Sequence, residues 1–159
     1  MEPLSYTEKQ VDSRASILSE LEMAVNDEIL AAFQYWTAYN ASKGPGKFDA
    51  DPVFEEHTKQ EWDHVELLAQ RIKELGGKFV TDPSKLRAHA APWHPVESCD
   101  VKYLVQLILD AEIQAVNKYE RLAAMTKDVD PVTHKIIVTI LATEQEHRYE
   151  AQSLKDSLT

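Results

Sequence analysis

Four long stretches of this chain contain no proline or glycine: about Ser13–Lys43, Val53–Leu75, Asp100–Lys127 and Val132–Leu158. Each is far too long for a strand and suits a helix. The breaks between them are sharp. Gly44-Pro45-Gly46 separates the first two, Gly76-Gly77 closes the second, and Asp128-Val129-Asp130-Pro131 separates the last two. Pro52 and Pro131 each follow an aspartate, which predicts Asp51 and Asp130 as N-caps with a proline in the first turn. Gly76 stands where a C-cap glycine belongs. Short turns make the first and second segments antiparallel neighbours, and likewise the third and fourth. The expected fold is all-α: a four-helix bundle of two antiparallel hairpins joined by one long crossover. That crossover, residues 77–99, either spans the bundle or forms an element of its own, with a short helix expected over Pro83–His89 behind Asp82. At 159 residues the chain is expected to be one domain, 1–159, with 1–12 a flexible tail.

Helical periodicity places one stripe of each segment inward. The stripes are Ile17, Leu21, Ala24, Glu28, Ala31 and Tyr35; His57, Glu61, His64, Leu68, Ile72 and Leu75; Val105, Ile108, Glu112, Ala115, Tyr119 and Leu122; and Ile137, Ile140, Glu144, His147, Ala151 and Leu154. Every stripe is apolar except for a glutamate, joined in two of them by a histidine three residues later. A carboxylate on an apolar stripe is costly unless it is paired or binds metal. Four glutamates in one core carry four negative charges, which two divalent cations balance. The side chains of Glu-x-x-His leave one helix face about a turn apart, so both reach one site. One Glu from each of two helices, with Glu-x-x-His from each of the other two, is the ligand set of di-iron carboxylate bundles. Oxygen and imidazole donors suit iron or manganese.

Glu fills 16 of the 159 positions, so two Glu-x-x-His motifs alone are a weak signal. The spacing strengthens it. Glu28 to Glu61 is 33 residues and Glu112 to Glu144 is 32, while Glu28 to Tyr35 and Glu112 to Tyr119 are each seven. The two hairpins carry one constellation at one depth, as an internal duplication would. The opposing reading is four unrelated glutamates, buried or at the rim.

Charge narrows the function classes. Lys+Arg is 17 against 27 Asp+Glu, a formal net charge of −10, which argues against a duplex nucleic-acid binder. No window approaches the ~18 apolar residues that cross a membrane. Met1-Glu2-Pro3-Leu4-Ser5 lacks the basic and apolar parts of a secretory signal. The single cysteine, Cys99, forms no intrachain disulfide, which fits a reducing cytoplasm.

Asn26-Asp27-Glu28 through Gln34-Tyr35, Glu61-x-x-His64, Glu112 and Glu144-x-x-His147 resemble bacterioferritin and its Dps-like relatives. Phe54-Glu55-Glu56-His57 through Arg71-Ile72-x-Glu74-Leu75, with Asp82-Pro83-x-Lys85, is similar to the Dps-like ferritins called thioferritins. The resemblance covers nearly the whole chain after Leu21. It implies a ferritin-like cage subunit that oxidises Fe(II) with peroxide or oxygen, binds two irons per subunit and stores Fe(III) mineral. It further implies that Glu28 and His64 terminate one iron, Glu112 and His147 the other, and that Glu61 and Glu144 bridge. Bacterioferritin carries a haem-binding methionine where this chain has Trp62, so no haem is expected. Its short fifth helix has no counterpart before Thr159, and the thioferritin cysteine pair is absent. A dodecameric cage of Dps size is therefore expected, with no affinity for DNA.

Other residues carry more than one reading. Tyr35 and Tyr119 either bond a metal-facing carboxylate or donate electrons, or are core tyrosines with satisfied hydroxyls. His57 either lines the site mouth or is a solvated or structural histidine. Trp36, Trp62 and Trp93 read as packing or interface residues, and Cys99 as an incidental thiol. Val25, Ile29, Ala32, Trp36 and Tyr39 form a second apolar stripe on the first helix, which calls for a homo-oligomeric partner or for cover by the crossover. Two other functions compete: a di-iron or di-manganese oxidoreductase that stores nothing, and a helical interaction module without metal. A rubrerythrin would need four cysteines.

Overall fold

In the computed structural model, residues 8–79, 82–88 and 94–158 are described. Four helices build the chain: α1 Glu8–Ala41, α2 Lys47–Glu74, α3 Val101–Thr126 and α4 Pro131–Ser157. Helix α1 begins five residues before the expected start, so Glu8–Asp12 of the expected tail is helical.

The start of α2 corrects the sequence expectation. The helix begins at Lys47 behind Gly46, which sits at φ 83°, and Pro52 lies inside it. Asp51 does not cap. Its carboxylate accepts from Ser42 Oγ and Lys47 Nζ, which ties the α1–α2 turn together. Asp130 caps α4 as the sequence predicts, and Asp100, which the sequence did not single out, caps α3 in the same way. Asp100 accepts from the amides of Lys102 and Tyr103, and Asp130 from those of Val132 and Thr133. At the end of α2, Gly76 has φ 78°, and the Gly76 and Gly77 amides donate to Lys73 and Ile72 carbonyls at 3.1 and 2.9 Å. This is a Schellman closure, in which a left-handed glycine satisfies the last carbonyls.

The crossover both spans the bundle and forms an element. It leaves the far end of α2 and returns to the α1–α2 turn. There Lys43 N donates to Cys99 O at 2.8 Å and Val101 N to Lys43 O at 3.3 Å. On the way, Pro83–Ala88 forms a short 3-10 helix against α1. His89 and Trp93 lie outside the described residues. Helix α3 consequently runs antiparallel to α1, and α4 antiparallel to α2.

The core is split in two. Ile17, Leu21, Leu68, Ile72, Leu122, Ile137 and Ile140 fill one end. Phe54, Val101, Leu104, Ile108, Ala151 and Leu154 fill the other. Between them, at mid-length of all four helices, lies the layer of polar side chains. The second stripe of α1 is only partly an outer face: Val25 and Ala32 are buried within the chain, while Trp36 is 54% exposed. Among the described residues the large apolar side chains that α1 leaves exposed are Val11, Met23, Phe33 and Trp36.

Candidate metal centre

All six expected ligand residues meet in the polar layer, and each is at most 4% exposed. Helix α1 supplies Glu28, α2 Glu61 and His64, α3 Glu112, and α4 Glu144 and His147. Their donor atoms form two groups, each within 4.8 Å: Glu28, Glu61, His64 and Glu144 in one, Glu61, Glu112, Glu144 and His147 in the other. Glu61 and Glu144 belong to both.

Both histidines turn Nδ1 into the layer. His64 Nδ1 lies 3.3 Å from Glu28 Oε2, 3.2 Å from Glu61 Oε2 and 3.0 Å from Glu144 Oε1. His147 Nδ1 lies 3.2 Å from Glu61 Oε1 and 3.9 Å from both Glu112 Oε2 and Glu144 Oε2. The outer nitrogen of His147 is held by Gln60 Oε1 at 2.8 Å, an orienting contact of the kind metal-ligating histidines have. Tyr35 donates to Glu112 Oε1 at 2.6 Å, and Tyr119 donates to Glu28 Oε1. Both tyrosine hydroxyls thus bond carboxylates of the buried layer.

His57 is neither solvated nor at an open mouth. It is buried, its ring stacks on His147 with centroids 4.0 Å apart, and Nε2 meets Glu150 Oε2 at 2.6 Å. Cys99 is exposed in the crossover, away from the layer, and Trp62 is 48% exposed on α2. Three participants escaped the sequence reading: Gln60, Glu150 and Lys118. Each stands one helical step off an inward stripe, so only the packing of neighbouring helices brings it in. Lys118 lies 3.0 Å from Asp27 and 3.6 Å from Glu28.

The buried layer is electrostatically strained. Burial, reinforced by the Glu144 charge, raises the Glu61 and Glu112 carboxyls well above the ordinary range. Burial opposes the Glu28 charge too, but the Lys118 ammonium and the His64 bond hold that carboxyl below the ordinary range. Burial would lower His64, yet its bonds to Glu144, Glu28 and Glu61 push it up to about 12. Burial, with repulsion from His57 and His64, pushes His147 down to about 2. Burial also raises both tyrosines, so they remain donors.

Glu61 Oε1, Glu112 Oε2 and His147 Nδ1 are buried without a hydrogen-bond partner. Such atoms are costly unless something fills the space between them. Carboxylate oxygens and imidazole nitrogens at these separations fit a pair of divalent first-row cations.

Comparisons with known proteins agree with this geometry. The chain matches the Ferritin family, described as a ferritin-like domain, over residues 18–158. It is similar to a dodecameric thioferritin, the bacterioferritin-related protein of Bacteroides fragilis, at 32% identity and a TM-score of 0.89, covering 91% of this chain and 87% of that one. Dps from Thermosynechococcus elongatus shares the fold, with a TM-score of 0.86 at 20% identity over 96% of each chain. A DNA protection during starvation protein of Pyrococcus furiosus is 26% identical over 133 residues, 82% of this chain and 72% of that relative.

Proposed function

We propose that this chain, which belongs to the ferritin-like domain family, is a ferroxidase: it oxidises Fe(II) within one subunit and stores the Fe(III) as mineral in a hollow homo-oligomer. The observation that carries the reading is the sharing of Glu61 and Glu144 between two buried donor groups. A shared carboxylate pair holds two cations side by side, which a one-metal site or a metal-free bundle does not need. Glu28 and His64 hold one Fe(II), Glu112 and His147 the other, and Glu61 and Glu144 touch both. Four carboxylates against two dications leave the layer neutral, which removes the repulsion of the metal-free state.

Iron is the substrate. Two Fe(II) give one electron each to hydrogen peroxide; with two protons the products are two Fe(III) and two water molecules. Paired one-electron losses complete the two-electron reduction without a free radical, so the reaction protects as well as stores. Oxygen is the other candidate oxidant. The protein's part is to fix both ions at one distance, to exclude bulk water between two dry clusters, and to keep the terminal carboxylates oriented through Tyr35 and Tyr119.

The assembly we propose is a closed dodecamer. A relative at 32% identity is a dodecameric thioferritin, and exposed Phe33 and Trp36, with ring centroids 5.9 Å apart, offer an apolar contact surface. We place the protein in the cytoplasm. One curated relative is named for DNA protection, but at −10 per subunit we expect no binding of nucleic acid here. Among the described residues no helix is long and apolar enough to cross a membrane.

Light scattering and iron analysis after loading test the storage reading. A dodecamer that takes up far more than two irons per subunit supports it. A monomer or 24-subunit mass overturns the dodecamer, and two metals per subunit with no further uptake overturns storage and leaves an oxidoreductase. Stopped-flow absorbance of Fe(II) mixed with peroxide tests the site. Wild-type rates in a Glu61→Ala/Glu144→Ala double variant would overturn the assignment.

A further inference from the structure

The two halves of the site follow one pattern. Glu28 precedes Tyr35 by seven residues, and Glu112 precedes Tyr119 by seven. Each tyrosine crosses to the glutamate of the other half. The pattern fails at two places. Asp27 comes before Glu28, where Ala111 comes before Glu112; Lys118 comes before Tyr119, where Gln34 comes before Tyr35. Where Tyr119 crosses to Glu28 the site therefore carries a charge pair, Asp27 from α1 and Lys118 from α3, and where Tyr35 crosses to Glu112 it has the neutral Ala111 and Gln34.

That charge pair sits against the site. Lys118 Nζ is 3.0 Å from Asp27 Oδ2, 3.6 Å from Glu28 Oε1 and 4.8 Å from the centre of the Tyr119 ring. Its side chain is 17% exposed, so solvent screens it incompletely. Among the described residues no lysine or arginine pairs with Glu112, whose ion-pair contact is His147 at 3.9 Å.

The donor atoms differ in the same sense. Both oxygens of Glu28 are engaged, Oε1 by Tyr119 and Lys118, Oε2 by His64 at 3.3 Å. In the other half Glu61 Oε1, Glu112 Oε2 and His147 Nδ1 are buried and unpartnered. They face one another, with His147 Nδ1 at 3.2 Å from Glu61 and 3.9 Å from Glu112.

We propose that Lys118 makes the two iron positions unequal, so that Fe(II) fills the Glu112/His147 position first and the Glu28/His64 position second. Lys118 acts here as a positioning residue, through Glu28: it occupies an oxygen the second ion needs and adds a like charge beside it. Asp27 offsets part of that charge. With an effective dielectric of about 20, what remains corresponds to a difference of roughly tenfold in affinity. The inference rests on the two-metal reading above and names the order of loading within it. An ordered site takes up its second, more loosely held ion next to one already in place.

The test is an anaerobic titration of the metal-free assembly with Co(II), read by the visible absorbance of the bound ion and by calorimetry. The wild type is expected to bind two ions per subunit in two steps about tenfold apart. His147→Ala should remove the tight step and His64→Ala the weak one. Lys118→Gln should tighten the weak step until the two merge, Lys118→Arg should keep them apart, and Asp27→Asn, which strips Lys118 of its counter-charge, should widen the gap. Two equivalent ions in the wild type, a tight step that survives His147→Ala, or a Lys118→Gln isotherm that superimposes on the wild type would each overturn the proposal. A wild type that holds fewer than two ions per subunit would overturn the two-metal reading itself. Helical circular dichroism of each variant separates a lost step from a lost fold.

Discussion

Tyr35 on α1 donates its hydroxyl to Glu112 on α3 at 2.6 Å, bonding a carboxylate 77 positions along the chain across the centre of the bundle. Tyr119 on α3 returns the contact to Glu28 on α1. The two bonds staple the hairpins together at the depth where neither can offer an apolar surface. They also fix which oxygen of each terminal glutamate is left for a cation. Glu112 keeps Oε2 free and turned toward His147.

Removing either hydroxyl should therefore act on one half of the site. Tyr35→Phe leaves Glu112 Oε1 buried and unpartnered, at about 1–2 kcal/mol, and lets the carboxylate rotate. Loss of such an outer contact typically weakens a metal by about 10–100-fold. Tyr35→Phe should weaken the ion at Glu112/His147, and Tyr119→Phe the ion at Glu28/His64. Calorimetric titration of each variant checks this, and equal weakening of both ions in one variant would contradict it.

The shared glutamates should behave differently from the terminal ones. Glu144→Ala removes a donor from both positions and also a charge that raises its neighbours Glu61 and Glu112. Fast Fe(II) oxidation should vanish while the metal-free bundle melts at an equal or higher temperature, because buried repulsion is relieved. Glu28→Ala or His64→Ala should empty one position first and leave partial binding. A matched pair of melting curves and stopped-flow traces distinguishes the two classes.

At the far end of α2, Arg71 makes a tie that has no part in the site. Its Nη2 meets Asp130 Oδ2 at 2.7 Å and its Nε donates to Thr133 Oγ1 at 2.8 Å, with both ion-pair partners about 10% exposed or less. The tie binds the C-terminal end of α2 to the cap of α4. Arg71→Met should cost roughly 3 kcal/mol, since one partner is left charged and buried. Denaturant unfolding of the metal-free protein gives the number, and metal affinity should stay at the wild-type value.

Much of this was legible in the sequence, for a physical reason. A glutamate on an apolar stripe is so costly that its repetition at matched spacing on four helices announces a common centre, and Glu28, Glu61, Glu112 and Glu144 do meet there. The cap at Asp130 was legible because one carboxylate oxygen stays on the Val132 and Thr133 amides while the other takes Arg71. Asp51 had competitors, Ser42 and Lys47, and the cap was misplaced by five residues, from Gly46 to Asp51. The residues around the site were hidden because they arrive across helices. Gln60 reaches His147 and Lys118 reaches Asp27 only once α2 meets α4 and α3 meets α1. Periodicity reports which face a residue takes, and carries no information about the residue opposite.

Net charge argues against nucleic-acid binding. Each subunit carries a formal −10, and the first 14 residues hold Lys9 and Arg14 against Glu2, Glu8 and Asp12. The proposed dodecamer would multiply the deficit. Phosphate contacts release counterions only where cations cluster, so repulsion should dominate at physiological salt. A gel shift with linear duplex at that salt should show no retarded band, and tight binding would overturn the expectation.

Metal uptake should release protons, and the sign follows from the layer itself. In the metal-free protein the Glu61 and Glu112 carboxyls lie well above the ordinary range, and His64 lies at about 12. These raised values mean that near neutrality the folded protein holds protons that the same groups would lose in an unfolded chain. A cation needs the deprotonated carboxylate and the neutral imidazole, so each such proton must leave as the ion enters. His147, at about 2, is already neutral and gives up nothing. Affinity should therefore climb as pH rises from about 6 to 8, where a site of ordinary carboxylates and free histidines would level off above the histidine value of about 6.5. The ion at Glu112/His147 displaces the Glu61 and Glu112 protons, and the ion at Glu28/His64 then displaces that of His64, because Glu28 is already ionised. Calorimetric titration with Zn(II) at one pH, in buffers of different ionisation enthalpy, counts the protons directly. The expected result is net release in both steps, greater in the first, and uptake of protons in either step would show that the layer is ionised otherwise than its geometry implies.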